Sequence, residues 1–258
     1  MPDLRIRFQN DEEQEEAGPR PPLDEERALR ILRDAEITAA KLVPWGSNYT
    51  FAVGLCDDEG NDHLGIYKPQ AGERPLWDFP SGTLYLREYA SYVLSRWMNW
   101  KVVPPTVVRE GPNGVGSLQL YVEPRDEDVD EAQFWGRKIL PIEQMVMFDH
   151  IANNADRKIG HCVVDVHNSI WGIDHGLTFN ADPKLRTVLW QFSGEPIGDQ
   201  VRADLERLHA TGDELYTELR ELLNPFEVLA MQRRVTTLLD TGRYPVLDPH
   251  YNVPYGWW

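Results

Sequence analysis

Residues 151–165 read IANNADRKIGHCVVD, with two asparagines, an aspartate and two basic side chains set in an otherwise apolar run. Such a cluster is either an Asx turn that closes a helix or the rim of a reactive site. Apolar spacing at Ile142, Met145, Val146 and Ile151 predicts a helix over 142–154 that leads into it. Asp156 then stands just past the helix end, placed to take the proton of an attacking hydroxyl. Arg157 and Lys158 could offset phosphate charge. His161 follows five residues after Asp156, where a metal-binding side chain would be needed.

Three other stretches gain meaning beside this one. Downstream, CVVDV and SIWGID predict a hairpin turning at His167-Asn168, followed by WGIDHGLTF (171–179). Asp174 and Gly176 form an Asp-x-Gly that ends a strand and would aim a carboxylate at Mg²⁺, although turns use the same residues. Upstream, YTFAVGLC and HLGIYKP read as strands joined by the turn DDEGND, with Lys68 near the end of the second. LYLREYASYVLSRWM (84–98) reads as a helix carrying Glu88, a carboxylate able to pair with Lys68 as strand lysine and helix glutamate pair in protein kinases. Alone, each also fits an ordinary surface residue. The sequence order is strand Lys, helix Glu, apolar linking strand, post-helical Asp and strand-ending Asp-x-Gly, and chance reaches that order far less easily than any one element.

The rest of the chain frames these motifs. LDEERALRILRDAEI predicts an amphipathic helix with Asp24 as N-cap and Ala28, Leu29, Leu32 and Ala35 on one face. KVVPPTVVRE and SLQLYVEP predict two strands about the glycine-rich GPNGVG. Helices at about 199–222 and 225–240 close the chain, the second with Pro225 in its first turn. The expected fold class is α+β, as an antiparallel-sheet lobe over 23–124 and a mainly helical lobe over 125–258. Residues 1–22, acidic and proline-rich, are expected to form a disordered tail.

The 258 residues are 41% hydrophobic and 26% charged, enough to bury a sizeable core. The net charge of −16 argues against nucleic-acid partners, which need clustered Lys and Arg. No apolar run approaches the roughly 20 residues of a membrane span, and the N-terminus lacks an apolar signal core, so a cytoplasmic protein without a stable membrane anchor is expected. The only cysteines are Cys56 and Cys162, which fits a reducing compartment. His161, Cys162, His167 and His175 match no common structural zinc spacing. Trp257 and Trp258 are expected to pack on the domain and pin the terminus, or else to form an exposed docking element.

GIYKPQAGERP, GSLQLYVEP, DHIANNADR and GIDHGLTF, in that order, resemble blocks of the phosphatidylinositol 3-/4-kinase superfamily, especially type II phosphatidylinositol 4-kinases and their actinobacterial relatives. The resemblance runs from about Ala35 to Pro245. It implies a two-lobed kinase-like fold binding ATP with Mg²⁺. Lys68 would contact the ATP phosphates and Glu88 would pair with it. The Leu120–Tyr121–Val122 backbone would meet adenine, and Ser47 and Asn48 in PWGSNYTF would sit in the phosphate-covering loop. Asp156 would be the catalytic aspartate and Asp174 the metal ligand.

The sequence departs from the family at His161, where the family carries asparagine, and an imidazole suits Mg²⁺ less well than an amide oxygen. Mn²⁺ is therefore a second candidate metal. The cysteine-rich membrane-attachment segment of the type II enzymes has no counterpart. The leading expectation is phosphotransfer from ATP to a hydroxyl on a soluble small molecule, a lipid headgroup or a protein Ser/Thr, which leaves a protein partner open. The alternatives are a nucleotide-binding pseudokinase with a regulatory role and an AMP transferase.

Overall fold

The computed structural model describes residues 22–44, 48–125 and 131–256. Ser47 and the Trp257–Trp258 end lie outside the described residues, as does the expected tail except for Pro22.

The chain opens with helix α1 (Glu25–Asp34), where the Asp24 side chain accepts from the Arg27 N–H at 2.9 Å, as a helix N-cap does. Its buried face carries Ala28, Leu29, Ile31 and Leu32. Strands β1 (Glu36–Leu42), β2 (Phe51–Cys56) and β3 (Asp62–Pro69) follow, then helix α2 (Leu84–Met98) and strands β4 (Thr106–Gly111) and β5 (Gly114–Leu120). The five strands form one antiparallel sheet in the order β1-β2-β3-β5-β4. β1 was not foreseen. Six of its seven residues are exposed, so this edge strand carries no buried alternation for a sequence reading to find.

Lys68 pairs with Ser117 in the β3–β5 ladder, next to Pro69 opposite Gly116. A Cβ at Gly116 would lie 2.5 Å from the Lys68 carbonyl, so the glycine lets the two strands close at the lysine.

The second half is mainly helical: α3 (Glu131–Trp135), α4 (Leu140–Ala152), the hairpin β6 (Cys162–Val164) and β7 (Ile170–Gly172), then α5 (Asp199–Thr211), α6 (Asp213–Leu222) and α7 (Pro225–Thr241). The single helix expected over 199–222 is two helices. Gly212 separates them, and a Cβ there would meet the Leu208 carbonyl at 2.5 Å. α7 starts with a capping box between Asn224 and Glu227, with Pro225 at its first position. Among the described residues no helix is long and apolar enough to cross a membrane.

One core runs through both halves. It joins Val53, Leu55, Tyr67 and Leu118 of the sheet to Val93 and Leu94 of α2 and to Met145, Phe148, Val228 and Met231 of the helical part. α2 is also tied to the helical half by a buried ion pair, Arg87 to Glu227 at 2.7 Å, and by Arg87 donating to the Thr178 carbonyl at 2.6 Å. The helix that presents Glu88 is thus anchored at both lobes.

Candidate active site

α2 buries Glu88, and β3 brings Lys68 to it. The Lys68 ammonium donates to Glu88 Oε1 and, at 2.8 Å, to Asp174 Oδ1. The other oxygen of Glu88 accepts the His175 backbone N–H at 2.9 Å. Strand, helix and Asp-x-Gly turn therefore meet on one carboxylate and one ammonium. Burial works against the charge on Lys68, but Asp174 and Glu88 together outweigh it and hold the amine protonated. The Lys68 ammonium in turn holds the Asp174 carboxyl well below the usual carboxylate range, and His161 acts in the same direction against the effect of burial.

Asp174 has φ 60, a left-handed conformation that aspartate tolerates better than most residues. Its Oδ2 lies 3.3 Å from His161 Nε2. His161 Nδ1 is 2.8 Å from the Asp156 carbonyl oxygen, which can only accept, so Nδ1 carries the proton. When the ring is neutral, Nε2 is an acceptor facing that carboxylate; when it is protonated, Nε2 donates to it. Two facing acceptors at this separation suit a divalent cation, since two donors about 2.1 Å from one ion and at right angles are about 3.0 Å apart. An imidazole nitrogen beside a carboxylate oxygen fits Mn²⁺ at least as well as Mg²⁺. Among the described residues no group of three or more His, Cys, Asp or Glu side chains is placed to hold a metal. A cation here would therefore complete its shell with oxygens from a nucleotide or water.

Asp156 lies in the turn after α4. Asn153 ends that helix with φ 53, and Asn154 Oδ1 accepts the Asp156 N–H at 3.0 Å. The Asp156 carboxylate pairs with Lys158 at 3.0 Å. Burial raises its pKa above the ordinary value, while Lys158 pulls the other way.

Arg157 does not face the cleft. Its side chain is fully buried, gripped by Asp149 through two bonds of 2.9 Å. The same guanidinium donates to the His161 carbonyl at 2.9 Å, the Ile173 carbonyl at 3.2 Å and His175 Nε2 at 2.7 Å. The expectation that Arg157 offsets phosphate charge is therefore corrected. Its donors are spent on fastening the 156–161 loop to the Asp174 turn, and Asp149 keeps it charged against its burial. Lys158, the other basic residue of the loop, is held by Asp156.

In the stretch expected to meet adenine, Leu120 and Tyr121 already donate their N–H groups to the Pro105 and Leu64 carbonyls at 2.9 and 3.1 Å. Val122 is the one of the three whose N–H has no partner among the described residues. Asn48 uses its Oδ1 to accept the Arg74 N–H at 2.8 Å, which ties the expected phosphate-covering loop to the segment after β3.

Sequence reasoning missed Asp149 and His175. Asp149 sits between Phe148 and His150 in a buried helical run, and a buried carboxylate at a helix end asks for a cation close by. His175 is fully buried, and burial together with the Arg157 charge keeps it neutral. Only the fold reveals that role.

No family model matches the chain. Protein Rv2133c of Mycobacterium tuberculosis is 35% identical over 269 residues, spanning 90% of this chain and 95% of that protein. Among solved structures, hydra Fam20 with sugar superposes with a TM-score of 0.56 at 14% identity, covering 82% of this chain and 86% of that one. The Golgi casein kinase with Mn/ADP bound gives 0.53 at 14% identity, covering 84% and 74%. The Helicobacter pylori proinflammatory kinase CtkA gives 0.51 at 12% identity, covering 82% and 94%. The fold is kinase-like, and the chain belongs to the family of Protein Rv2133c.

Proposed function

We propose that the chain is an ATP-dependent phosphotransferase working with Mg²⁺ or Mn²⁺, and that its two lobes divide near Pro124. The observation that carries this reading is the Lys68 ammonium held between Glu88 and Asp174, with His161 Nε2 on the far oxygen of the same aspartate. Lys68 would neutralise ATP phosphates, with Glu88 fixing its position. Asp174 and His161 would hold the cation, which when bound neutralises charge on the phosphates. Val122 would offer its N–H to adenine, and Ser47 and Asn48 would border the phosphates.

In the transfer, the bond from the γ-phosphorus to the bridging oxygen of ADP breaks. A bond from the acceptor oxygen to that phosphorus forms, and Asp156 takes the hydroxyl proton. Arg157 acts at one remove by holding the loop.

The Mn/ADP-bound Golgi casein kinase supports nucleotide and metal binding on this fold. The four sequence blocks keep the resemblance to phosphatidylinositol 3-/4-kinases within the proposal. The Lys158–Asp156 pair also favours a second reading, a nucleotide-binding module without turnover, because it occupies the base. Transfer from γ-labelled ATP decides between them. The wild type should label an acceptor or itself, and Asp156→Asn should abolish labelling while ADP·Mn still binds. Wild-type ADP·Mn binding with no label under either metal would favour the module. Wild-type labelling by Asp156→Asn would make Asp156 structural.

A further inference from the structure

The segment after the Asp174 turn runs back along the catalytic loop. Lys184 N–H donates to Asn153 Oδ1 at 2.9 Å, Arg186 N–H to the Asn154 carbonyl at 2.9 Å, and Arg157 N–H to the Arg186 carbonyl at 3.0 Å. Residues 184–186 thus form an extended strip immediately beside Asp156. Four of its backbone groups are already used, the fourth being the Leu185 carbonyl, which accepts from Asn252 Nδ2 at 2.7 Å.

The strip's side chains alternate cation with aromatic ring. The Lys184 ammonium sits 4.9 Å from the centre of the Trp77 ring and pairs with Asp78 at 3.0 Å, which pins the 77–78 loop against the strip. Trp77 is 91% exposed. The Arg186 guanidinium lies 4.7 Å from the centre of the Tyr255 ring, itself 76% exposed. Arg186 has no carboxylate partner among the described residues, and neither does the exposed Arg74 of the loop that carries Trp77. Arg186 is joined to the loop through the backbone of Asn154 and Arg157, and Arg74 lies three residues before Trp77.

The 73–84 loop that carries Trp77 also reaches the loop directly, since Phe79 and Leu84 pack with Ala155, the residue before Asp156. The cavity lined by this loop, from Gln70 to Leu84, has a volume of about 50 Å³ and opens to solvent. Sites that bury a small ligand hold roughly 300–1,000 Å³. Exposed Trp, Tyr and Arg on an open face are instead the residues that anchor protein interfaces.

We infer that this strip docks a polypeptide acceptor, with Trp77 and Tyr255 as anchors and Arg74 and Arg186 meeting carboxylates that flank the phosphorylated hydroxyl. The inference rests on the phosphotransferase reading and names its acceptor class.

The test uses the full chain, ATP and Mn²⁺, with five acceptors. These are a serine peptide flanked by glutamates, the same peptide flanked by lysines, glycerol, myo-inositol, and phosphatidylinositol vesicles. The glutamate peptide should exceed the lysine peptide by about tenfold or more in kcat/KM, the scale of a charge-assisted hydrogen bond. Arg186→Glu should erase or reverse that ranking, and Trp77→Ala should raise KM for both peptides. Both variants should still bind ADP·Mn, which checks that fold and nucleotide site persist. Preference for glycerol, inositol or vesicles over both peptides overturns the inference, as does an unchanged peptide ranking in Arg186→Glu. Measurable ADP·Mn binding with no transfer to either peptide overturns it too, leaving the nucleotide site standing. Failure of the wild type to bind ADP·Mn removes the phosphotransferase reading beneath it.

Discussion

The Glu88 carboxylate accepts the backbone N–H of His175 at 2.9 Å while its other oxygen holds Lys68. One buried side chain therefore fixes both a strand lysine and the turn that carries Asp174. Kinase-type sites need the lysine–glutamate pair and the metal-binding aspartate in place together. Here a helix tied into both lobes through Arg87 supplies that coincidence.

Glu88→Gln keeps the shape but removes the charge. Lys68 then has only Asp174 to pair with, and the His175 N–H keeps an amide oxygen as acceptor. Turnover should fall by about 10²-fold or more, on the scale of losing a preorganised electrostatic contact. The fold should survive, as judged by circular dichroism. Wild-type kcat in this variant would show that the pair does not organise the site.

Arg157→Met should chiefly cost stability. It leaves Asp149 buried without its cation, an arrangement that costs about 3–5 kcal/mol. Thermal or denaturant unfolding would read the loss. A variant with wild-type stability but no phosphotransfer would return Arg157 to a direct role at phosphate.

His150 provides a pH-dependent stability term. It lies buried at the end of α4 against the Tyr244 ring, and burial pushes its pKa down from 6.5 to about 4. The folded state thus resists the proton that the unfolded chain accepts at 6.5. Stability from this group is present above pH 6.5 and is lost as pH falls from 6.5 toward 4, by up to about 3 kcal/mol. In denaturant titrations, His150→Gln should flatten this acid loss. An equally steep decline in the variant would assign the loss to other groups.

His161→Asn replaces an imidazole with an amide. Losing the nitrogen ligand should lower the preference for Mn²⁺ over Mg²⁺ in nucleotide binding, because the amide oxygen is the harder donor. Competition between the two metals in ADP titrations measures it. An unchanged preference would place the cation away from His161.

The fold and the site were legible to different extents. Helix 84–98, the two hairpins flanking it and the 162–172 hairpin follow from periodicity and turn residues, because each buries one face against the common core. Lys68, Glu88, Asp156 and Asp174 were named as candidates from their order along the chain and His161 from its spacing after Asp156, and the fold brings all five close together. β1 escaped because an exposed edge strand buries nothing. The break at Gly212 escaped because 199–222 is helical by composition, and only the close approach to Leu208 shows where it must stop. Arg157 looked like a phosphate ligand because sequence shows charge but not burial. Asp149, eight residues earlier, claims it in a contact that exists only once the loop is closed.

The central claim is that Lys68, Asp174 and His161 form a metal–nucleotide site. Calorimetric titration of a non-hydrolysable ATP analogue, with and without Mn²⁺, tests it most directly on the wild type and Asp174→Ala. Wild-type affinity should rise by tenfold or more on adding metal, a coupling of about 1.4 kcal/mol. Asp174→Ala should bind the analogue equally with and without metal. Metal-enhanced binding that persists undiminished in Asp174→Ala would contradict the account.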